Sequence, residues 1–163
     1  IKAIHQYDLL GTVGSASLKW SCNQGPSCVG NWWGSTGIDF YEVHYYPWMI
    51  QFGSKYDPYS TTPQTWGLEK PVLIGEAPGK RFQTLRGSLS VSQAYYWAYK
   101  NGYMGHLAWS DLANDGAGYW KDIQPALSCH SHWNQCQNSS EGRGFIHLVW
   151  DFILTYLREF LVQ

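Results

Sequence analysis

Lys70-Pro-Val-Leu-Ile-Gly-Glu-Ala77 is the stretch on which the fold turns. Residues 71–75 are short, β-branched and apolar throughout, as a strand buried on both faces of a parallel sheet reads. Glu76 ends that run, and Ala77-Pro78-Gly79 is expected to break the chain. Strict alternation places Val72, Ile74 and Glu76 on one face. A carboxylate closing a hydrophobic strand is costly unless it is used or paired.

Working upstream, Asp39-Phe-Tyr-Glu-Val-His-Tyr-Tyr46 is a second strand, β-branched and aromatic, stopped by Pro47. Its alternation sets Phe40, Glu42, His44 and Tyr46 on one face and Tyr41, Val43 and Tyr45 on the other. Residues 9–16 read as a buried strand, after a helical turn over residues 1–4. A loop over residues 17–37 holds Cys22, Cys28 and the Trp32-Trp33 pair among Gly, Ser and Asn. Residues 48–69 are loop, interrupted by Pro58 and Pro63, with one helical turn at most.

Downstream, residues 88–100 form a helix capped by Ser88 or Ser90, with Val91, Ala94, Tyr95 and Ala98 on one face and Asn101-Gly102 closing it. Tyr103-Met-Gly-His-Leu-Ala-Trp-Ser110 is a fourth strand, followed by a polar loop over residues 111–119 and a short helix near 122–127. Strand, helix or long loop, strand, repeated three times, is the signature of a parallel α/β sheet. The long connections follow the strands, which is the functional side of (β/α) barrels. A complete barrel takes about 250 residues, so four strands within 163 residues support part of a (β/α)8 TIM barrel over residues 1–127.

Residues 128–163 are different in character: a polar, irregular stretch and then an apolar helix over residues 145–162. Asp151, Arg158 and Glu159 argue against a membrane span there, Asp and Arg costing about 2.5–3.5 kcal/mol each at a helix centre. A closing helix packed on the domain is expected. Cys22 with Cys28 and Cys129 with Cys136 suit two loop-closing disulfides, and with the Asn138-Ser139-Ser140 sequon they point to a secreted protein. The competing use of Cys129, His130, His132 and Cys136 is zinc binding, but their spacing matches no standard zinc knuckle, and no metal or cofactor is expected.

Lys+Arg 11 against Asp+Glu 12 gives a net charge of -1, without the basic clusters that phosphate binding needs, so nucleic acid is excluded as a partner. Charged residues are only 14% while aromatics reach 17%, with Trp 10 and Tyr 12; a polar, uncharged, indole-rich surface suits neutral sugars, whose C–H faces stack on rings. Glu76, with His44 and Tyr46 ending the neighbouring strand and Trp109 near the end of the fourth, supplies the parts of a retaining glycosidase: a carboxylate nucleophile, polar orienters and an aromatic platform.

Residues 39–48, 70–77 and 105–110 (Gly-His-Leu-Ala-Trp-Ser) together resemble the sixth, seventh and eighth barrel strands of clan A glycoside hydrolases, most closely the family 5 cellulase and endo-β-mannanase group. Residues 9–20 are similar to the fifth strand and its loop. The resemblance implies that Glu76 is the nucleophile, that His44 and Tyr46 line the catalytic centre with Tyr46 bonded to Glu76, and that Trp109 floors the subsite of the sugar whose bond is broken. It implies hydrolysis of a β-linked polysaccharide such as mannan or β-glucan with retention. Two departures stand out: the family's acid/base Glu in an Asn-Glu pair, and its early-strand Arg, are expected upstream of Ile1. The chain is therefore expected to be the C-terminal part of a glycosidase, inactive alone and prone to aggregate or dimerise through its open sheet edges. The alternative is a non-catalytic carbohydrate-binding protein on a degenerate barrel, with Trp32, Trp33, Trp48 and Trp109 as stacking platforms.

Overall fold

A computed structural model describes residues 1–21, 33, 36–110 and 115–128. Its centre is a four-stranded sheet of β1 (Gly14–Ser15), β2 (Tyr41–His44), β3 (Val72–Pro78) and β6 (Gly105–Trp109), in that spatial order with every neighbouring pair parallel. Between β3 and β6 come an antiparallel hairpin, β4 (Phe82–Thr84) with β5 (Gly87–Leu89), and helix α3 (Val91–Lys100). Helix α1 (Lys2–His5) precedes β1, α2 (Leu18–Ser21) follows it, and α4 (Trp120–Ser128) follows β6. The α/β class with a parallel sheet is therefore as expected.

Tyr41 and Val43 of β2 and Tyr45 just past it, with Val72 and Ile74 of β3, form the buried face, packed against Tyr59, Trp66, Tyr103 and the Ala94–Ala98 side of α3. Every residue assigned in advance to the inner face of α3 is buried. The helix starts where Ser90 accepts from the Gln93 N–H while the Gln93 side chain accepts from the Ser90 N–H, a reciprocal capping box. It ends at Asn101, with Gly102 at a positive φ of 87° turning the chain back toward β6.

Three expectations are corrected. The first strand is only two residues long, and residues 9–13 lie outside it. Residues 48–69 hold three 3-10 helices, Pro47–Phe52, Ser54–Tyr56 and Pro63–Trp66, instead of one turn. Pro opens the first and third of them, its fixed φ suiting the first helical position. Finally, β3 runs two residues past Glu76, with Ala77 and Pro78 paired to Ala108 and Trp109.

The hairpin was not foreseen. Its turn is held from below by Asp57, which is buried and accepts from the Tyr59 N–H at 2.8 Å, the Ser60 hydroxyl at 3.0 Å and the Leu85 N–H at 3.1 Å. Burial pushes the Asp57 carboxyl above its ordinary range in spite of those donors. Arg86 adds a bond to the Tyr59 carbonyl and lays its guanidinium over the Trp97 ring. These contacts fix the hairpin against the end of the sheet where β3 delivers Glu76.

Candidate active site

The register of β3 against its neighbours places the key carboxylate. Val43 pairs with Ile74 and His44 with Glu76, so Gly75 is an extra residue, and the same excess appears against β6, where Ile74 pairs with His106 and Ala77 with Ala108. A bulge of this kind shifts the alternation by one residue. Val72 and Ile74 face the core, whereas Glu76 faces the opposite side with His44; the expectation that the three share a face is overturned by this one residue.

On that opposite face the sequence is Gly, Glu and His. An added Cβ at Gly14 would meet His44 Nε2 at 3.0 Å and Glu42 Oε1 at 3.3 Å, and one at Gly75 would overlap Glu42 Oε1 at 2.2 Å. The Glu42 side chain therefore lies in space that two glycines on adjacent strands leave open. Its Oε1 is 3.3 Å from His44 Nε2, and His44 Nδ1 is 3.4 Å from Glu76 Oε2. One imidazole is thus flanked by two partly buried carboxylates.

Tyr46, just past β2, donates its hydroxyl to Glu76 Oε1. Burial first, then this bond and the charges of Glu76 and Asp115, push the Tyr46 phenol well above its ordinary range. It keeps its proton at neutral pH and remains a donor to Glu76.

Glu76 and Tyr46 open on a cavity of about 700 Å³, whose other walls include Trp48, Arg81, Gln83, Trp109 and Asp115. Trp109 is 39% exposed and donates its indole N–H to Asp115 Oδ2 at 2.6 Å. Asp115 also accepts from the Ala117 N–H at 2.9 Å. The Ala117 N–H first, and the Trp109 N–H next, lower the Asp115 pKa, so this carboxylate is a poor proton donor and a good orienter of the indole. Trp48, half exposed, forms part of the rim.

The residues expected at the site divide clearly. Glu76, His44, Tyr46, Trp109 and Trp48 are brought to one end of the sheet. Trp33 is corrected: it is 1% exposed, its indole N–H donates to the Val13 carbonyl, and its ring packs on Tyr41, which makes it a core residue and no stacking platform. Trp32, Cys22, Cys28, Cys129 and Cys136 lie outside the described residues, as does the 129–163 part of the tail. Among the described residues no His, Cys, Asp and Glu group could hold a metal ion, and no helix is long and apolar enough to cross a membrane. Asp115, Arg81 and Gln83 were missed. For the last two the available signal was the period-two pattern Phe82-Gln-Thr84 leading into Gly87 and Leu89.

No family model matches the chain. Over 74 residues it is 35% identical to a mannan endo-1,4-β-mannosidase of Mytilus edulis, a match covering 45% of this chain and 18% of that protein. The structure of an endo-1,4-β-mannanase from Eisenia fetida aligns with a TM-score of 0.51 and 27% identity, over 71% of this chain and 34% of the other. That of a β-1,4-D-mannanase from Cryptopygus antarcticus aligns with a TM-score of 0.52 and 25% identity, over 88% and 41%. The chain thus spans less than half the length of each protein it matches. The resemblance to family 5 glycoside hydrolases of the mannanase group is borne out by sequence and by structure together.

Proposed function

We propose that this chain carries the nucleophile side of a β-mannanase that acts with retention, residues 1–127 contributing strands five to eight of a (β/α)8 barrel. The observation that carries the reading is Glu76 held at the mouth of a cavity by the Tyr46 hydroxyl and flanked by His44, with the partly exposed Trp109 indole lining the same cavity. The three proteins with which the chain aligns are mannanases. The parallel strands occur in sequential order, as adjacent staves of a barrel do, and their catalytic side chains gather at the strands' C-terminal end.

In the proposed reaction a Glu76 carboxylate oxygen attacks the anomeric carbon and the glycosidic C–O bond breaks. The departing oxygen takes a proton from a general acid, and a glycosyl ester on Glu76 results. Water then attacks the same carbon, the acid's conjugate base accepts the water proton, and Glu76 is released as carboxylate. Tyr46 orients one Glu76 oxygen, so the other is presented to the sugar. Trp109, fixed by Asp115, offers a flat face to the sugar whose anomeric carbon Glu76 attacks. Asp115 does not suit the acid role, given its lowered pKa; the proton donor is assigned to a barrel strand outside the described sheet.

The test is made on the full-length protein. Glu76→Gln should lower turnover of β-1,4-mannan by at least about 10⁴-fold, since loss of a nucleophile removes the covalent route. A 2-fluoro mannoside with an activated leaving group should add one glycosyl mass to the peptide bearing Glu76. Turnover by Glu76→Gln at the parent rate, or labelling elsewhere, overturns the assignment.

A further inference from the structure

The proposed reaction gives no task to Glu42, whose side chain shares a face of the sheet with His44 and Glu76. It stands mid-strand in β2, opposite Gly14 of β1 and Leu73 of β3, and its side chain is only 23% exposed. A half-sheltered carboxylate in an otherwise apolar parallel sheet is costly without a partner. Among the described residues it hydrogen-bonds His44 Nε2, at 3.3 Å. It is absent from the walls of the cavity on which Glu76 opens, so whatever it contributes passes through the imidazole.

The neighbouring strands keep this place open. Gly14 and Gly75 flank the carboxylate, and a Cβ on either would stand 3.3 Å or 2.2 Å from Oε1. His44, two residues along the same strand, turns Nε2 to Glu42 and Nδ1 to Glu76 Oε2, 3.4 Å away. A half-turn of the ring about its Cβ–Cγ bond would present a carbon edge to Glu76 instead. A hydrogen bond at Nε2 decides which edge that is. Glu76 is an inconstant anchor for the ring, because in the proposed reaction it alternates between carboxylate and glycosyl ester. Glu42 takes no part in those bond changes and can hold the ring through both steps.

We infer that Glu42 is a positioning residue for the reaction: by anchoring Nε2 it fixes the His44 ring with Nδ1 against Glu76 while Glu76 is esterified and released. This rests on the glycosidase reading above and adds to it a residue that acts only through another.

Hydrolysis of β-1,4-mannan by the full-length protein is the measurement. Glu42→Ala should lower kcat about 10-fold with KM little changed, the loss of one charge-assisted bond. Glu42→Gln, whose amide oxygen still accepts from Nε2, should stay within about 3-fold of the parent. In a His44→Ala background, Glu42→Ala should change kcat by less than about 2-fold, because the ring it holds is gone. Gly75→Ala added to Glu42→Ala separates packing from positioning. It fills vacated space but offers His44 no acceptor, so stability to urea should rise while kcat stays low. Parental kcat in Glu42→Ala, equal losses with and without His44, or a kcat that recovers along with stability overturns the positioning role and leaves the glycosidase reading standing. Glu76→Gln assayed alongside tests that reading by itself: turnover at the parent rate would remove both assignments.

Discussion

Replacing Gly75 with alanine tests the whole inner face at once. The new Cβ would stand 2.2 Å from Glu42 Oε1, 2.4 Å from Glu42 Cγ and 2.5 Å from Glu42 Cδ. The Cγ contact means that rotating the carboxylate tip does not relieve the overlap; the whole Glu42 side chain must leave. Gly75 is absent from the residues at positive φ, so alanine meets no backbone strain and should gain about 0.4–1 kcal/mol from a less flexible unfolded chain. Overpacking opposes this at about 1–3 kcal/mol. The net expectation is a loss of roughly 1–2 kcal/mol in urea unfolding of the full-length protein, with kcat reduced because His44 loses its Nε2 partner. In a Glu42→Ala background all three of those close atoms are gone. There Gly75→Ala should be neutral or stabilising by about 0.4–1 kcal/mol, a reversal of sign that a double-mutant cycle reads directly. Equal destabilisation in both backgrounds would falsify the packing of Glu42 over Gly75.

Tyr46→Phe removes one donor to an ionised carboxylate, a bond of about 1.5–3 kcal/mol, so kcat on mannan should fall roughly 10- to 150-fold with a smaller change in KM; a variant as active as its parent removes Tyr46 from the mechanism. His106 makes an opposite kind of prediction, about pH. Burial holds its pKa down from the ordinary 6.5 to about 3, while Tyr59 bonds its Nε2 at 2.8 Å and Tyr95 packs edge-on at 4.7 Å. A histidine neutral when folded but protonated when unfolded stabilises fully above pH 6.5, and that share is lost as pH falls toward 3. His106→Gln keeps a partner for the Tyr59 hydroxyl without titrating. Its melting temperature should therefore approach the parent's on going from pH 7 to pH 4.5, and parallel pH curves would refute the assignment.

Strands β2, β3 and β6 were legible because their residues obey simple rules of parity and branching. Tyr41, Val43 and Tyr45 alternate into the core as read, and α3 buries the four residues its spacing picked out. The face of Glu76 was not legible, because a single inserted residue reverses parity and leaves the composition of the strand unchanged. A glycine inside an apolar strand was the sole sign, and it is an ambiguous one. Trp33 misled for another reason. Set beside Trp32 among Gly, Ser and Asn, it reads as exposed loop, yet the fold draws it under β1 to bond the Val13 carbonyl. The hairpin went unread because its two three-residue strands carry too few alternations to stand out, and what positions them is buried Asp57, distant in sequence.

The bulge also explains why a glutamate can end up usable on so apolar a strand. Had β3 kept its alternation, the residue two after Ile74 would have followed Val72 and Ile74 into a core lined by Tyr59 and Trp66, where an unpaired carboxylate is costly and unreachable. The extra residue turns it to the side bearing His44 and Tyr46, and because that residue is glycine it also leaves room for Glu42 behind His44. One position thus solves two problems, presenting Glu76 to the cavity and supporting the imidazole beside it. That double duty is why the Gly75→Ala cycle, read by stability and by kcat together, reaches further into the proposed chemistry than removal of any single polar group.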